Sequence, residues 1–225
     1  MTALEMQAAF EIEAGVINSK IKPVSADILY WLNRAIEKFV KTRYTGNNPK
    51  GEAFELNQKR TDDLRTLVKE VTLTVGAGTL KPSSFIATLP TDYMYSVGEE
   101  ALIQFTDPVD GATSKRVGVN QITIDRYSTE IDNPLGEYNL HYRTAKPLRL
   151  QYGSVIELVT DGNYTVVQLF LRYLKTPVVV SLPSTSCDLP AVVHPEIVKM
   201  AVSMYIENIK GDRYQTIEHE VTEME

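Results

Sequence analysis

Three histidines, one cysteine, three closely spaced serines and two adjacent carboxylate pairs are the side chains here whose types could do chemistry. His141, His194 and His219 could bind a metal or move a proton, but none has a partner at ligand spacing such as His-Glu-x-x-His. His219 lies between Glu218 and Glu220 and reads as solvated. His194 precedes Pro195 and reads as a helix start, because proline suits the first helical position. His141 falls in "YNLHYRTAKP" and reads as a loop or strand-edge residue. Ser181, Ser184 and Ser186 have no base arranged beside them, and Glu99-Glu100 and Asp62-Asp63 read as surface pairs. A Walker A loop, a Gly-x-Gly-x-x-Gly turn after a strand and a Gly-x-Ser-x-Gly elbow are all missing from the sequence. Cys187 stands alone, so it can form no intrachain disulfide and no thiolate cluster for zinc or iron–sulfur. It reads as a small apolar side chain, at ease in a reducing compartment. No catalytic, cofactor-binding or metal-ligating residue emerges, and the chain is expected not to be an enzyme.

Tyrosine is more informative. There are twelve, against six Phe and one Trp, and several lie in polar stretches. Tyr buries a ring and keeps a polar tip, which suits protein–protein interfaces, although strands also favour it. No basic run interleaves with these rings, so stacking on single-stranded nucleic acid is a weak reading. The net charge of −6, from 23 basic and 29 acidic side chains, argues against a general phosphate-binding surface. A chain of 225 residues that is 43% hydrophobic can bury a full core. No stretch approaches the roughly 18 apolar residues of a membrane span. The first twenty residues lack a basic start and carry three Glu, so they do not read as a signal peptide.

The elements that must position these residues come in the order helices, strands, helix. "TALEMQAAFEIEAGVI" predicts a first helix with Glu5 at its favourable end. "SADILYWLNRAIEKFVKTRYTG" predicts a stronger one: Ser25 as N-cap, an apolar face of Ile28, Leu29, Leu32, Ala35, Ile36, Phe39 and Val40, and a stop at Gly46. A third, polar helix over "EAFELNQKRTDDLRTLVKEV" turns Leu64, Leu67 and Val68 inward. From Val71 the period changes to two. "SFIATLP" onward reads as a meander, Ile122 to Ile131 as a short helix, and Asp161-Gly162 as a hairpin turn. Alternation in "YTVVQLFLRYL" puts Val167, Leu169, Leu171 and Tyr173 on one side. The pattern is α+β, with N-terminal helices and a long C-terminal helix packed together around an inserted, mostly antiparallel sheet lobe. It reads as one unit with no linker: 1–70 helical, 71–181 β-rich, 190–225 the C-terminal helix and tail.

That helix, Pro195 to Ile209, carries Ile197, Ala201, Tyr205 and Ile209 on one line and Val198, Val202 and Ile206 on the next. The stripe is wide enough for one half to close a core and the other to meet a neighbour. Gly211-Asp212 then permits a bend, and Arg213 and Tyr214 are types that anchor interfaces. Tyr214, Ile217 and Val221 repeat at i, i+3 and i+7, an amphipathic segment too short to be stable alone. Tyr205, Arg213, Tyr214, Ile217 and Val221 are the candidate residues for an interface between subunits or with a portal. The alternative is a frayed acidic terminus.

Taken together, "LYWLNRAIEKFVKTRYTG", "FELNQKRTDDLRTLV", "ATLPTDYMYSV", "FLRYLKTPVVVSL" and "CDLPAVVHPEIVKMAVSMYIENIKGDRYQ" resemble the head-to-tail connector proteins of short-tailed bacteriophages. More narrowly, they resemble the neck or tail ring proteins of crAss-like phages. The resemblance implies a virion component found at the head–tail neck and, during assembly, in the host cytoplasm. It implies a closed ring, typically a dodecamer, below the portal protein. It also implies a channel that passes DNA without sequence-specific binding, contacts with other neck or tail ring proteins, and no membrane or cofactor. A scaffold protein of another kind, or a hydrolase with a dispersed site, are the other readings.

Overall fold

The structure is a computed structural model, and it describes residues 1–16, 22–45, 59, 61–80, 82–106, 114–133, 136 and 145–209. The chain divides into two compact units, one formed by 1–67 with 176–225 and the other by 68–175.

The first unit is helical. Helix α1 (Ala3–Glu13) opens with a capping box, in which the Thr2 hydroxyl accepts from the Glu5 N–H and the Glu5 carboxylate accepts from the Thr2 N–H. It stops earlier than the apolar pattern predicts because Gly15 turns left-handed at φ 66°. The Gly15 N–H then returns to the Ile12 carbonyl, and the Val16 N–H to that of Glu11, which closes the last turn. Helix α2 (Ser25–Thr45) buries Ile28, Leu32, Ala35, Ile36, Phe39 and Val40, the face its periodicity predicts. Its cap differs from expectation. The Val24 carbonyl accepts from Asp27 and Ile28, so Ser25 is already helical and its hydroxyl meets Gln7 instead. The expected stop at Gly46 lies outside the described residues.

The third helix is described only near its end, as a turn over 61–64 that tightens into a 3-10 turn, Arg65–Leu67. Leu64 and Leu67 point inward as expected, but Val68 does not: it opens the first strand and is 40% exposed. Helix α4 (His194–Ile209) follows a 3-10 turn, Ala191–Val193, and packs on both α1 and α2. Its Ile197, Val198, Ala201, Val202 and Ile206 are all buried within this unit. The expectation that half of this stripe would be left for a neighbour is therefore not met over these residues. This helix, in contact with both α1 and α2, lies at the middle of its own helical unit.

The second unit holds two sheets. One is antiparallel, with β1 (Val68–Thr74), β9 (Tyr164–Lys175), β4 (Tyr93–Phe105) and β5 (Ser114–Gly118) in that order. The other runs β2 (Gly76–Ala77), β3 (Ser84–Thr88), β8 (Val155–Val159), β7 (Leu148–Tyr152) and β6 (Asn120–Gln121). Only the β6–β7 pair is parallel among the described strands. Ala87, Ile156 and Leu158 of one sheet and Ala101, Ile103, Leu169, Leu171 and Tyr173 of the other form a shared core. The short helix α3 (Tyr127–Ile131), preceded by a 3-10 turn, fills the segment where a helix was expected. With Ile122 it covers Leu148, Leu150 and Val159 on the far face of the second sheet.

Three sequence expectations are corrected here. Asp161-Gly162 is a turn, with Gly162 at φ 95°, but not a hairpin turn: β8 and β9 belong to different sheets, and the chain uses the turn to cross between them. The hairpin is instead β7–β8, closed at Gly153, where Tyr152 faces Val155. Likewise β3 and β4, read as one meander, lie in different sheets. Finally, the buried side of β9 is Tyr164, Val166, Leu169, Leu171 and Tyr173, while Val167 is 41% exposed. A shift of register between Leu102 and Ile103 on the partner strand inserts one extra residue into β9 at this point, and the alternation changes phase across it.

Candidate functional site

The residues that could do chemistry are used as ties. His194 begins α4, as expected, but its ring is turned into the core. Its Nε2 lies 2.9 Å from the Leu189 carbonyl, which can only accept, so Nε2 carries the proton. Nδ1 is then the acceptor for the Met1 amine at 2.8 Å. Burial holds the imidazole below the usual histidine range. Cys187 is buried, and burial pushes its thiol up, away from a reactive thiolate. Ser181 is held by paired backbone bonds with Thr185. His141 and His219 lie outside the described residues. Among the described residues, no three of His, Cys, Asp and Glu come together as a metal ion would require.

The carboxylate pairs are not simple surface features. Asp63 is buried with Arg43 of α2, whose Nε lies 3.2 Å from Oδ2. The same guanidinium reaches Glu196 Oε2 at 2.8 Å, in the first turn of α4, where a negative charge also suits the helix dipole. One arginine thus fastens three pieces of the helical unit. In the strand unit, Glu99 of β4 accepts from Arg149 of β7 at 2.7 Å, both side chains buried, so this pair joins the two sheets. Glu100 faces outward and pairs with Arg116. Glu157, in the middle of "VIELV", is 0% exposed. It accepts from the Thr79 N–H at 2.7 Å, the Leu80 N–H at 2.8 Å, the Ser84 hydroxyl at 2.6 Å and the Tyr152 hydroxyl. Gly78 makes room for this cradle: a Cβ there would come within 2.2 Å of Ser84 Oγ and 2.7 Å of the Ser84 backbone. With the Thr79 hydroxyl, which donates at 3.2 Å, five fixed groups take up the oxygens of this carboxylate and leave none free for a substrate proton.

What the helical unit leaves open are surfaces. Between α2 and α4 runs a groove of about 750 Å³. Its floor includes the half-buried Trp31 and Met204, and Arg34, Lys38, Glu207 and Asn208 stand exposed along it. The second surface is the outer line of α1. Leu4, Ala8 and Ile12 recur at every fourth residue, and Leu4 and Ile12 are 67% and 62% exposed. The sequence reading missed both. The stripe had a signal in "ALEMQAAFEIE", which is apolar on two sides rather than one. The groove had none, because its walls come from opposite ends of the chain.

Of the candidate interface residues, Tyr205 is half-buried, and its ring meets Phe10 of α1 edge-on at 5.4 Å between centroids. Arg213, Tyr214, Ile217 and Val221 lie outside the described residues. Tyr205 therefore joins α4 to α1 inside the subunit, and the structure does not bring it to either open surface.

Buried charges spent on internal ties, together with two open surfaces, are what a structural subunit that packs against others requires. Residues 27–211 match the family of phage tail ring protein 3/4, and the chain belongs to that family. It is a structural bacteriophage protein of the ring class, as the resemblance to ring proteins of crAss-like phages implied. It is also similar to "Ring protein 4/5" of Bacteroides phage crAss001, 22% identical over 207 residues, which cover 83% of this chain and 84% of that protein.

Proposed function

We propose that this chain is one subunit of a closed ring in the head-to-tail neck, below the portal, and that its role is structural rather than enzymatic. The observation that carries the reading is the extent of the family match, which runs from α2 to the end of α4 and so takes in both units. The ring leaves a channel for DNA, and the net charge of −6 suits a wall that DNA slides past rather than one that grips it. Portal protein and neighbouring neck or tail rings are the partners. The segment holding Arg213, Tyr214, Ile217 and Val221 is the part of the chain that reaches them. Assembly takes place in the host cytoplasm, and the product resides in the virion.

The test is electron microscopy of particles carrying a labelled copy of this chain. A ring of labelled density at the neck, lost together with tail attachment when the gene is deleted, is the expected result. Particles that attach tails without this chain, or label elsewhere in the virion, overturn the reading.

A further inference from the structure

We propose that copies of this chain join head to tail, the exposed stripe of α1 in one copy seating in the α2–α4 groove of the next. The inference rests on the ring reading and names the two faces that reading needs. A closed ring of identical subunits requires two different, complementary surfaces on each subunit. The helical unit carries two that differ in the required way.

On α1, Ala3, Met6 and Phe10 face the subunit's own core, while Leu4, Ala8 and Ile12 form a second apolar line on the other side. One side of α1 is covered by α4, and the other has no cover among the described residues. Glu5 and Glu13 stand exposed near the two ends of the stripe. The groove differs in character: Trp31 and Met204 lie on its floor, and its rim carries Arg34 and Lys38, which form no ion pair among the described residues, beside Glu207 and the Lys41–Glu37 pair. At 1.5 Å per residue, the stripe from Leu4 to Ile12 is roughly 12 Å long, and the groove wall from Trp31 to Thr42 roughly 16 Å. The stripe fits lengthwise. This is helix-in-groove recognition with anchors one turn apart, in which Glu5 and Glu13 meet Arg34 and Lys38 and so set register and partner choice.

The experiment uses the full chain with single cysteines at the centre of the stripe, Ala8→Cys, and on the groove rim, Lys38→Cys. Cys187 is buried and does not compete. Oxidising a mixture of the two variants should give disulfide-linked dimers, about tenfold more than either variant alone. The double variant Ala8→Cys/Lys38→Cys should give a ladder that ends in one closed species. Adding Leu4→Glu/Ile12→Glu to the stripe partner should lower the mixed dimer by about tenfold or more, as loss of a central anchor does. Circular dichroism should stay unchanged, because both side chains are exposed. Arg34→Glu on the other partner makes the same test without touching α1. If micrographs of the wild type show rings but the mixture gives no dimer, this contact is wrong and the ring stands. If there are neither rings nor dimers, both fall. A mixed dimer that appears only after residues 210–225 are removed would mean that the groove belongs to the chain's own tail, and would overturn the proposal. So would a dimer indifferent to the stripe substitutions.

Discussion

The two units each bury a carboxylate and treat it in opposite ways. In the helical unit, burial pushes Asp63 above its ordinary range, although the Arg43 guanidinium lies beside it. In the strand unit, burial pushes Glu157 the same way, but hydrogen bonds from Leu80, Ser84, Tyr152 and Thr79 outweigh it and hold the carboxyl below its ordinary range. The difference lies in how the stabilising groups are shared. Arg43 divides its charge between Asp63 and Glu196, and Glu196 itself raises Asp63. The donors around Glu157 all converge on one carboxylate and were ordered by the fold before any charge arrived. Several fixed dipoles aimed at one site solvate a buried carboxylate better than one cation with two partners.

That contrast can be broken most directly at Glu157. Glu157→Ala strands the Thr79 and Leu80 N–H groups and the Ser84 hydroxyl, at about 1–3 kcal/mol each, so urea unfolding should show a loss of roughly 3–9 kcal/mol. A loss under about 1 kcal/mol would mean the cradle is solvated when its acceptor is removed. In the helical unit the corresponding weight falls on packing. Phe39→Ala should cost about 3–5 kcal/mol in the same titration, since the ring is 1% exposed. Gly78→Ala sharpens the steric side of the cradle. The new methyl must displace Ser84, at about 1–3 kcal/mol, and a Glu157→Ala background should relieve only part of that loss, because the contact with the Ser84 backbone remains.

The pH dependence separates the two carboxylates by sign. Glu157 binds its proton less tightly folded than unfolded, so its contribution is present above an unfolded value of about 4.3 and is lost as pH falls through the folded value. The stability gap between wild type and Glu157→Gln should therefore narrow on acidification. Asp63 binds its proton more tightly when folded. Its contribution is complete below an unfolded value of about 3.9 and is lost as pH rises through the folded value, so the gap to Asp63→Asn should move in favour of the wild type as pH falls. Parallel curves for the two variants would end the comparison. The smallest effect on stability is expected from deleting Gly211 to Glu225. The thermal midpoint should shift by no more than about 2 °C, which for a chain of this size is about 0.5–1 kcal/mol, while entry into the virion neck is lost. Normal assembly of that truncation would remove the tail from the docking role.

The sequence made legible what is periodic and local. α2 and α4 stand where their apolar spacing puts them, and Leu64 and Leu67 point inward, because a face of 3.6 periodicity must find a core. It was silent wherever partners are distant. Asp161-Gly162 announces a turn but not which sheet the next strand joins. The phase change at Val167 depends on β4, which no alternation within β9 can reveal. Glu157 is, along the sequence, one polar residue in an apolar strand. Only the second layer over β8 shows that both of its faces are buried, and so that its carboxylate must be fully hydrogen-bonded. Arg43 read as a basic residue suited to a helix end, and its two acidic partners come from elsewhere in the chain. Val68 failed as a helix residue because its pairing with Leu174 decides the matter.

The β1–β9 ladder matches Val68 with Leu174, so the strand unit begins and ends on neighbouring strands. Left unfolded, a segment of that length would cost the helical unit about 4 kcal/mol in chain-closure entropy before residue 67 could be brought near residue 176. Once the ladder has zipped, the same segment behaves as a link of a few residues. The order of events is thereby biased. Sheets that have zipped deliver the two ends of the chain together, so that α4 can reach α1 and α2 as if it followed them directly.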